Sequence, residues 1–202
     1  MKFNNIPNLI TFSRLLLSYI VIGILLNHEL SKNQLWIALI GTSLVILGDY
    51  FDGLLARSLH QSSQFGGWFD IASDRLIEIS FWIVFACIGW ISPWIALIFL
   101  LRGVFVDGIR SFASQKGYSA FGKKTLQKSP LARHIVSSPF SRAAYAALKA
   151  ITFCLIIYAR LNPGLIFLVD PLVIGTLIYC LVRGLPVLIE GWHFFSDNSN
   201  ST

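Results

Sequence analysis

Six long apolar runs, separated by short polar stretches, set the pattern of this chain. Crossing the hydrocarbon of a bilayer as a helix takes about 20 predominantly apolar residues. The runs at about 7–26, 34–56, 68–91, 94–115, 142–160 and 164–188 meet that length, with boundaries good to about two to four residues. Between them stand polar or helix-breaking stretches such as "NHELSKN", "GWISP" and "LNPG". The pattern predicts an all-α, polytopic membrane protein with six transmembrane helices, forming one domain over residues 1–202 without linker or repeat. The first run follows Lys2 as a signal peptide would, but no small-residue cleavage pattern follows it, so it is read as a retained span.

Charge adds an orientation. Lys2, Arg57, Lys116, Lys123, Lys124, Lys128 and Arg133 lie before the first span or in the second and fourth connections, whereas the opposite connections hold only Lys32 and Arg160. The positive-inside bias places both termini and the loops 57–67 and 116–141 in the cytoplasm. The second of these loops is basic enough to lie against anionic headgroups. Six spans with a basic inner face fit a bacterial inner membrane, and the same physics suits a mitochondrial one.

Composition agrees with a membrane protein: 55% of the 202 residues are apolar and 13% charged, with 16 phenylalanines and six tryptophans. Cys87, Cys154 and Cys180 are scattered through apolar runs, which suits neither a disulfide framework nor a zinc site. The four histidines share no spacing.

One polar stretch runs against this composition. "GDYFDGLLARSLHQSSQFGGWFDIASDR", Gly48 to Arg75, carries Asp49, Asp52, Asp70 and Asp74 where the second span ends and the third begins. Asp49, Asp52, Gly53 and Ala56 fall at i, i+3, i+4 and i+7 on one helical face. Asp70 and Asp74 are one turn apart, and Gly66 lies one turn before Asp70. Antiparallel neighbours joined by a short loop can turn these faces toward each other. An aspartate at the centre of a span costs roughly 2.5–3.5 kcal/mol, less near the interface, and mutual repulsion adds to it. Cations would neutralise such a cluster. Hard carboxylate oxygens suit magnesium, manganese or calcium rather than zinc, and two divalent ions would cancel four charges and clamp phosphoryl groups. Gly53 and Ala56 leave room on that face, and Arg57 can meet a phosphate. Structural pairing of the aspartates with Arg57 and Arg75 is the simpler alternative.

The run Asp49-x2-Asp52-Gly53-x2-Ala56-Arg57-x8-Gly66-x3-Asp70-x3-Asp74 resembles the signature of the CDP-alcohol phosphatidyltransferase family at every fixed position, and the six-span layout is similar over nearly the whole chain. The resemblance implies a CDP-alcohol phosphotransferase fold and a membrane enzyme, usually a homodimer. Such an enzyme displaces CMP from a CDP-linked lipid such as CDP-diacylglycerol, with an alcohol as acceptor. It also implies that the four aspartates hold two divalent cations, Mg2+ or Mn2+, with Asp74 as the base for the acceptor hydroxyl. Gly53, Ala56 and Gly66 would then let the nucleotide lie against the helices, with Arg57 on its phosphates.

"NIPNLITFSRLLL" and "RGVFVDGIR" resemble the corresponding stretches of bacterial phosphatidylglycerophosphate synthases. Arg102 and Arg110 match that branch; Gly103, Asp107, Ile71 and Arg75 differ from it. Arg110, near the inner end of the fourth span, and Arg142 and Lys149, seven residues apart on the fifth, form a candidate cationic pocket for an acceptor that carries its own phosphate. Glycerol 3-phosphate is the first expectation and an inositol phosphate the second; snorkelling to the headgroups is the alternative use of these cations. Asn8, Thr11 and Arg14, three apart on the first span, can reach the cytidine or serve as a cap. Outside the enzyme class stand an ion transporter and an inactive membrane scaffold. Intramembrane acids mark ion pathways, but neither an inverted repeat nor midplane placement is visible. Nothing points to a nucleic acid.

Overall fold

The structure is a computed structural model that describes residues 6–58, 64–115 and 129–196. The described residues form seven α-helices, α1 (Ile6–Leu25), α2 (Lys32–Ser58), α3 (Gln64–Cys87), α4 (Pro93–Gln115), α5 (Pro130–Ser137), α6 (Pro139–Leu161) and α7 (Val169–Ser196), with a 3₁₀ turn at Pro163–Leu168. The all-α expectation holds. Each of the six expected runs corresponds to a long helix. Three stretches, Asn8–Leu25, Pro139–Leu161 and Pro163–Gly191, are long and apolar enough to cross a membrane by length and composition. The protein is an integral membrane protein.

Serines and prolines start these helices. Ser31 accepts from the Gln34 amide at 3.3 Å while the Gln34 side chain accepts from the Ser31 amide at 2.9 Å, a reciprocal capping box for α2. Ser129 caps α5 through the Ala132 amide, and α4, α5 and α6 each open on a proline, whose missing N–H costs nothing at a first helical position. The expected third span was displaced by four residues at its end: α3 stops at Cys87, not 91. Gly89, at φ 74°, ends it in a Schellman turn, with Trp90 N–H donating to Phe85 O at 2.8 Å and Gly89 N–H to Ala86 O at 3.1 Å. The basic segment expected as loop 116–141 contains an extra helix, α5, too short to span; residues 116–128 lie outside the described residues.

The chain divides into two compact units, Met1–Ala96 with Ala150–Asp170, and Leu97–Lys149 with Pro171–Thr202. In the first, α1 packs on α2 and α3, and an aromatic core gathers around Phe153 of α6. Trp82 meets its ring edge-on at 4.9 Å, and Phe81 and Phe85 lie at 5.3 and 5.6 Å. In the second, Val106, Ile109 and Ala113 of α4 pack with Val136 of α5 and Val187 of α7. Helix α1 is inverted relative to a soluble helix: Leu9 is 65% exposed and Arg14 only 5%. Asn8, Thr11, Arg14 and Ser18 form its buried stripe, as lipid around an apolar exterior demands.

Candidate functional site: an acid cluster around a buried arginine

Three of the four aspartates come together in the first unit. Asp49 of α2 and Asp70 and Asp74 of α3 each offer a carboxylate oxygen, and these atoms all lie within 4.8 Å of one another. Their side chains remain 46, 43 and 42% exposed, so a ligand can reach the oxygens. Hard oxygens at this spacing fit a divalent metal ion. Asp52 follows Asp49 by one turn on α2, but the side chains of Asp52, Gly53, Ala56 and Arg57 lie outside those described. Gly66 stands at the start of α3, one turn before Asp70.

The centre of the cluster is Arg14, a residue the sequence offered only as a companion of Asn8 and Thr11. Its Nη2 donates at 2.9 Å to Asp49 Oδ1 and at 2.9 Å to Asp74 Oδ1, and its Nη1 stands 3.8 Å from Asp70 Oδ1. Its Nε donates to the carbonyl oxygen of Val45 at 3.2 Å, the carbonyl one helical turn before Asp49. Of the two arginines in the sequence alternative, Arg75 donates to Glu78 at 3.0 Å, and the side chain of Arg57 lies outside those described. Asn8 and Thr11 are 5 and 4% exposed, inside the first turns of α1 on Arg14's face, and Asn8 Nδ2 has no hydrogen-bond partner among the described residues.

Gly48 makes room for this arginine. A Cβ there would lie 2.8 Å from Arg14 Cγ and 2.9 Å from Cδ, so Gly48→Ala is expected to push the arginine off the acids. Overpacking of this kind costs about 1–3 kcal/mol, and a lowered thermal midpoint in detergent, with the helical circular dichroism retained, is the check.

The second unit holds a separate cationic cluster. Arg102 of α4 and Arg183 of α7 are 8 and 7% exposed, and their guanidinium carbons stand 5.9 and 5.2 Å from the ring centre of the buried Tyr145. Lys149 Nζ lies 4.8 Å from the same ring. Arg183 also feels the like charges of Arg102 and Arg142. Arg183 Nη2 donates to Val136 O at 3.2 Å, but Nε of Arg102 and of Arg183 have no hydrogen-bond partner among the described residues. Gly184 admits Arg102 as Gly48 admits Arg14: a Cβ would lie 2.8 Å from Arg102 Nε. Of the expected acceptor residues, Lys149 belongs to this cluster, Arg142 is exposed, and Arg110 is half-buried on α4. Arg183 went unnoticed in the sequence, although an arginine inside an apolar run is itself a signal of function.

Convergent carboxylates on membrane helices offer oxygen ligands to a metal ion, and similarity to known proteins says which family carries them. Residues 4–169 match the family model of CDP-alcohol phosphatidyltransferase; the chain belongs to that family. A CDP-diacylglycerol–glycerol-3-phosphate 3-phosphatidyltransferase of Cereibacter sphaeroides is 33% identical over 116 residues, 55% of this chain and 52% of that protein. The chain thus spans about half the length of that relative. One of the same name from Rickettsia felis is 26% identical over 197 residues, 95% of this chain and 93% of its own length. A provisionally named cardiolipin synthase of Mycobacterium tuberculosis is 32% identical over 115 residues, 57% of this chain and 53% of that protein.

Proposed function

We propose that the protein transfers a phosphatidyl group from CDP-diacylglycerol to a hydroxyl acceptor, best glycerol 3-phosphate, with release of CMP in phospholipid synthesis. The convergence of Asp49, Asp70 and Asp74 carries this reading. Asp52 joins them as the fourth ligand of two divalent cations, Mg2+ or Mn2+. When bound, the cations neutralise the pyrophosphate and make CMP a better leaving group. Asp74 takes the acceptor hydroxyl's proton, the acceptor oxygen bonds to the lipid phosphorus, and the bond to CMP breaks. Asp49, Asp52, Gly53, Ala56, Arg57, Gly66, Asn8 and Thr11 bind the CDP-lipid, the orphan amide of Asn8 being a ready donor to it.

An apolar groove of about 540 Å³ supports a lipid donor. Leu39, Ser43, Ile46 and Leu47 of α2 and Ile151, Cys154 and Tyr158 of α6 line it. From Leu39 to Asp49 the helix rises about 15 Å, roughly half the bilayer's hydrocarbon, which is the depth an acyl chain occupies below its headgroup.

The acceptor's phosphate is assigned to the second unit, where Arg110, Arg142 and Lys149 are joined by Arg102 and Arg183. The buried Nε groups of Arg102 and Arg183, without a hydrogen-bond partner among the described residues, suit a phosphate. The enzyme works as a homodimer with six spans in a bacterial inner membrane, its termini and site cytoplasmic. Purified protein incubated with CDP-diacylglycerol and glycerol 3-phosphate, inositol phosphate, inositol, serine or phosphatidylglycerol tests the acceptor. Mass spectrometry is expected to find phosphatidylglycerophosphate; a product from another acceptor alone would reassign the substrate.

A further inference from the structure

Arg14 enters through neither the family signature nor the proposed reaction, yet it touches the oxygens a metal would use. Its position is built rather than incidental. The side chain is 6% exposed, Nε is tied to Val45 O at 3.2 Å, and its stem passes through the space that Gly48 leaves open. Anchored at that end, the guanidinium stands 2.9 Å from both Asp49 Oδ1 and Asp74 Oδ1.

Two consequences follow from a fixed cation there. Each hydrogen bond takes one of the lone-pair positions of its carboxylate, leaving the rest for other ligands, so a metal ion and the guanidinium must share Asp49 and Asp74. A divalent ion sharing them also sits a few ångströms from a positive charge that cannot swing away, and at such range repulsion is large even with the screening of a half-exposed site. The same contacts hold carboxylates from α2 and α3 side by side against their own repulsion.

We propose that Arg14 is a positioning residue that acts as a fixed counter-cation of the metal site: it holds Asp49 and Asp74 together and keeps divalent cation binding weak until a CDP nucleotide adds its pyrophosphate. The pyrophosphate's negative oxygens offset the guanidinium and supply further ligands, so metal and nucleotide bind cooperatively. This rests on the metal-dependent reading above.

Mn2+ binding to the purified full-length protein, followed by the electron paramagnetic resonance of free Mn2+ with and without CDP, tests it. Wild-type protein is expected to bind Mn2+ at least about tenfold tighter with CDP present. Arg14→Gln is expected to bind Mn2+ about tenfold tighter than wild type without CDP, and to gain less from CDP. Its thermal midpoint should fall in chelator and recover more on Mn2+ addition than that of wild type. If Arg14→Gln does not fold, Arg14→Met is read instead; it keeps the apolar stem without the charge, and it too should bind Mn2+ tighter than wild type. Unchanged or weaker Mn2+ binding in the folded variant overturns the counter-cation role alone. No Mn2+ binding by wild type, with or without CDP, overturns the metal reading on which it rests.

Discussion

Asp74→Asn is expected to lower CMP release about 10³-fold or more while leaving the protein folded. In the proposed reaction the substitution removes a metal ligand and the group that accepts the hydroxyl proton. A positioned general base contributes about 10²–10⁴-fold by itself, and metal stabilisation of the transferring phosphoryl group adds several kcal/mol. Asparagine keeps the shape and one oxygen that can still accept from Arg14, so the contact at 2.9 Å need not be lost. Single-turnover CMP release with saturating donor and acceptor is the measurement. A fall of less than about tenfold would remove Asp74 from the chemistry.

Arg183→Ala is expected to raise the acceptor's KM about tenfold to a hundredfold, with the KM of CDP-diacylglycerol nearly unchanged. Hydrogen bonds to charged groups contribute about 1.5–3 kcal/mol each, and Arg183 has Nε to give: Nη2 is engaged with Val136 O at 3.2 Å, while Nε has no partner among the described residues. Arg110→Ala should act in the same direction. Arg183→Lys retains the charge without the planar fork and should fall between wild type and alanine. An equal rise in both KM values would mean that the cluster supports the fold rather than the acceptor.

The acid cluster was legible because its residues are local. Asp49, Asp70 and Asp74 lie on two consecutive helices, and i, i+3 and i, i+4 spacing fixes their faces. Arg14 was not, because its partners are 31 to 60 positions away and nothing in α1 says which neighbours its polar stripe will meet. Its spacing with Asn8 and Thr11 correctly gave the shared face; the packing of α1 on α2 and α3 gave that face its meaning. Arg183 was overlooked inside the most apolar run, where hydropathy averages a single charge away. The displacement of α3 has a similar cause. The apolar run expected at 68–91 sits on a helix that already starts at Gln64 and runs through Gly66 and Gly67, and the turn that ends α3 depends on Gly89 taking a positive φ. The helix α5 was missed because eight residues show too little periodicity to separate from a loop.

The most direct test of the whole account is CMP release from CDP-diacylglycerol by the purified protein as Mg2+ or Mn2+ is added back after chelation, with Asp70→Asn beside it. No release is expected in chelator, release should saturate as metal is added back, and Asp70→Asn should lose it. Release that ignores the chelator, or survives in Asp70→Asn, would contradict the account.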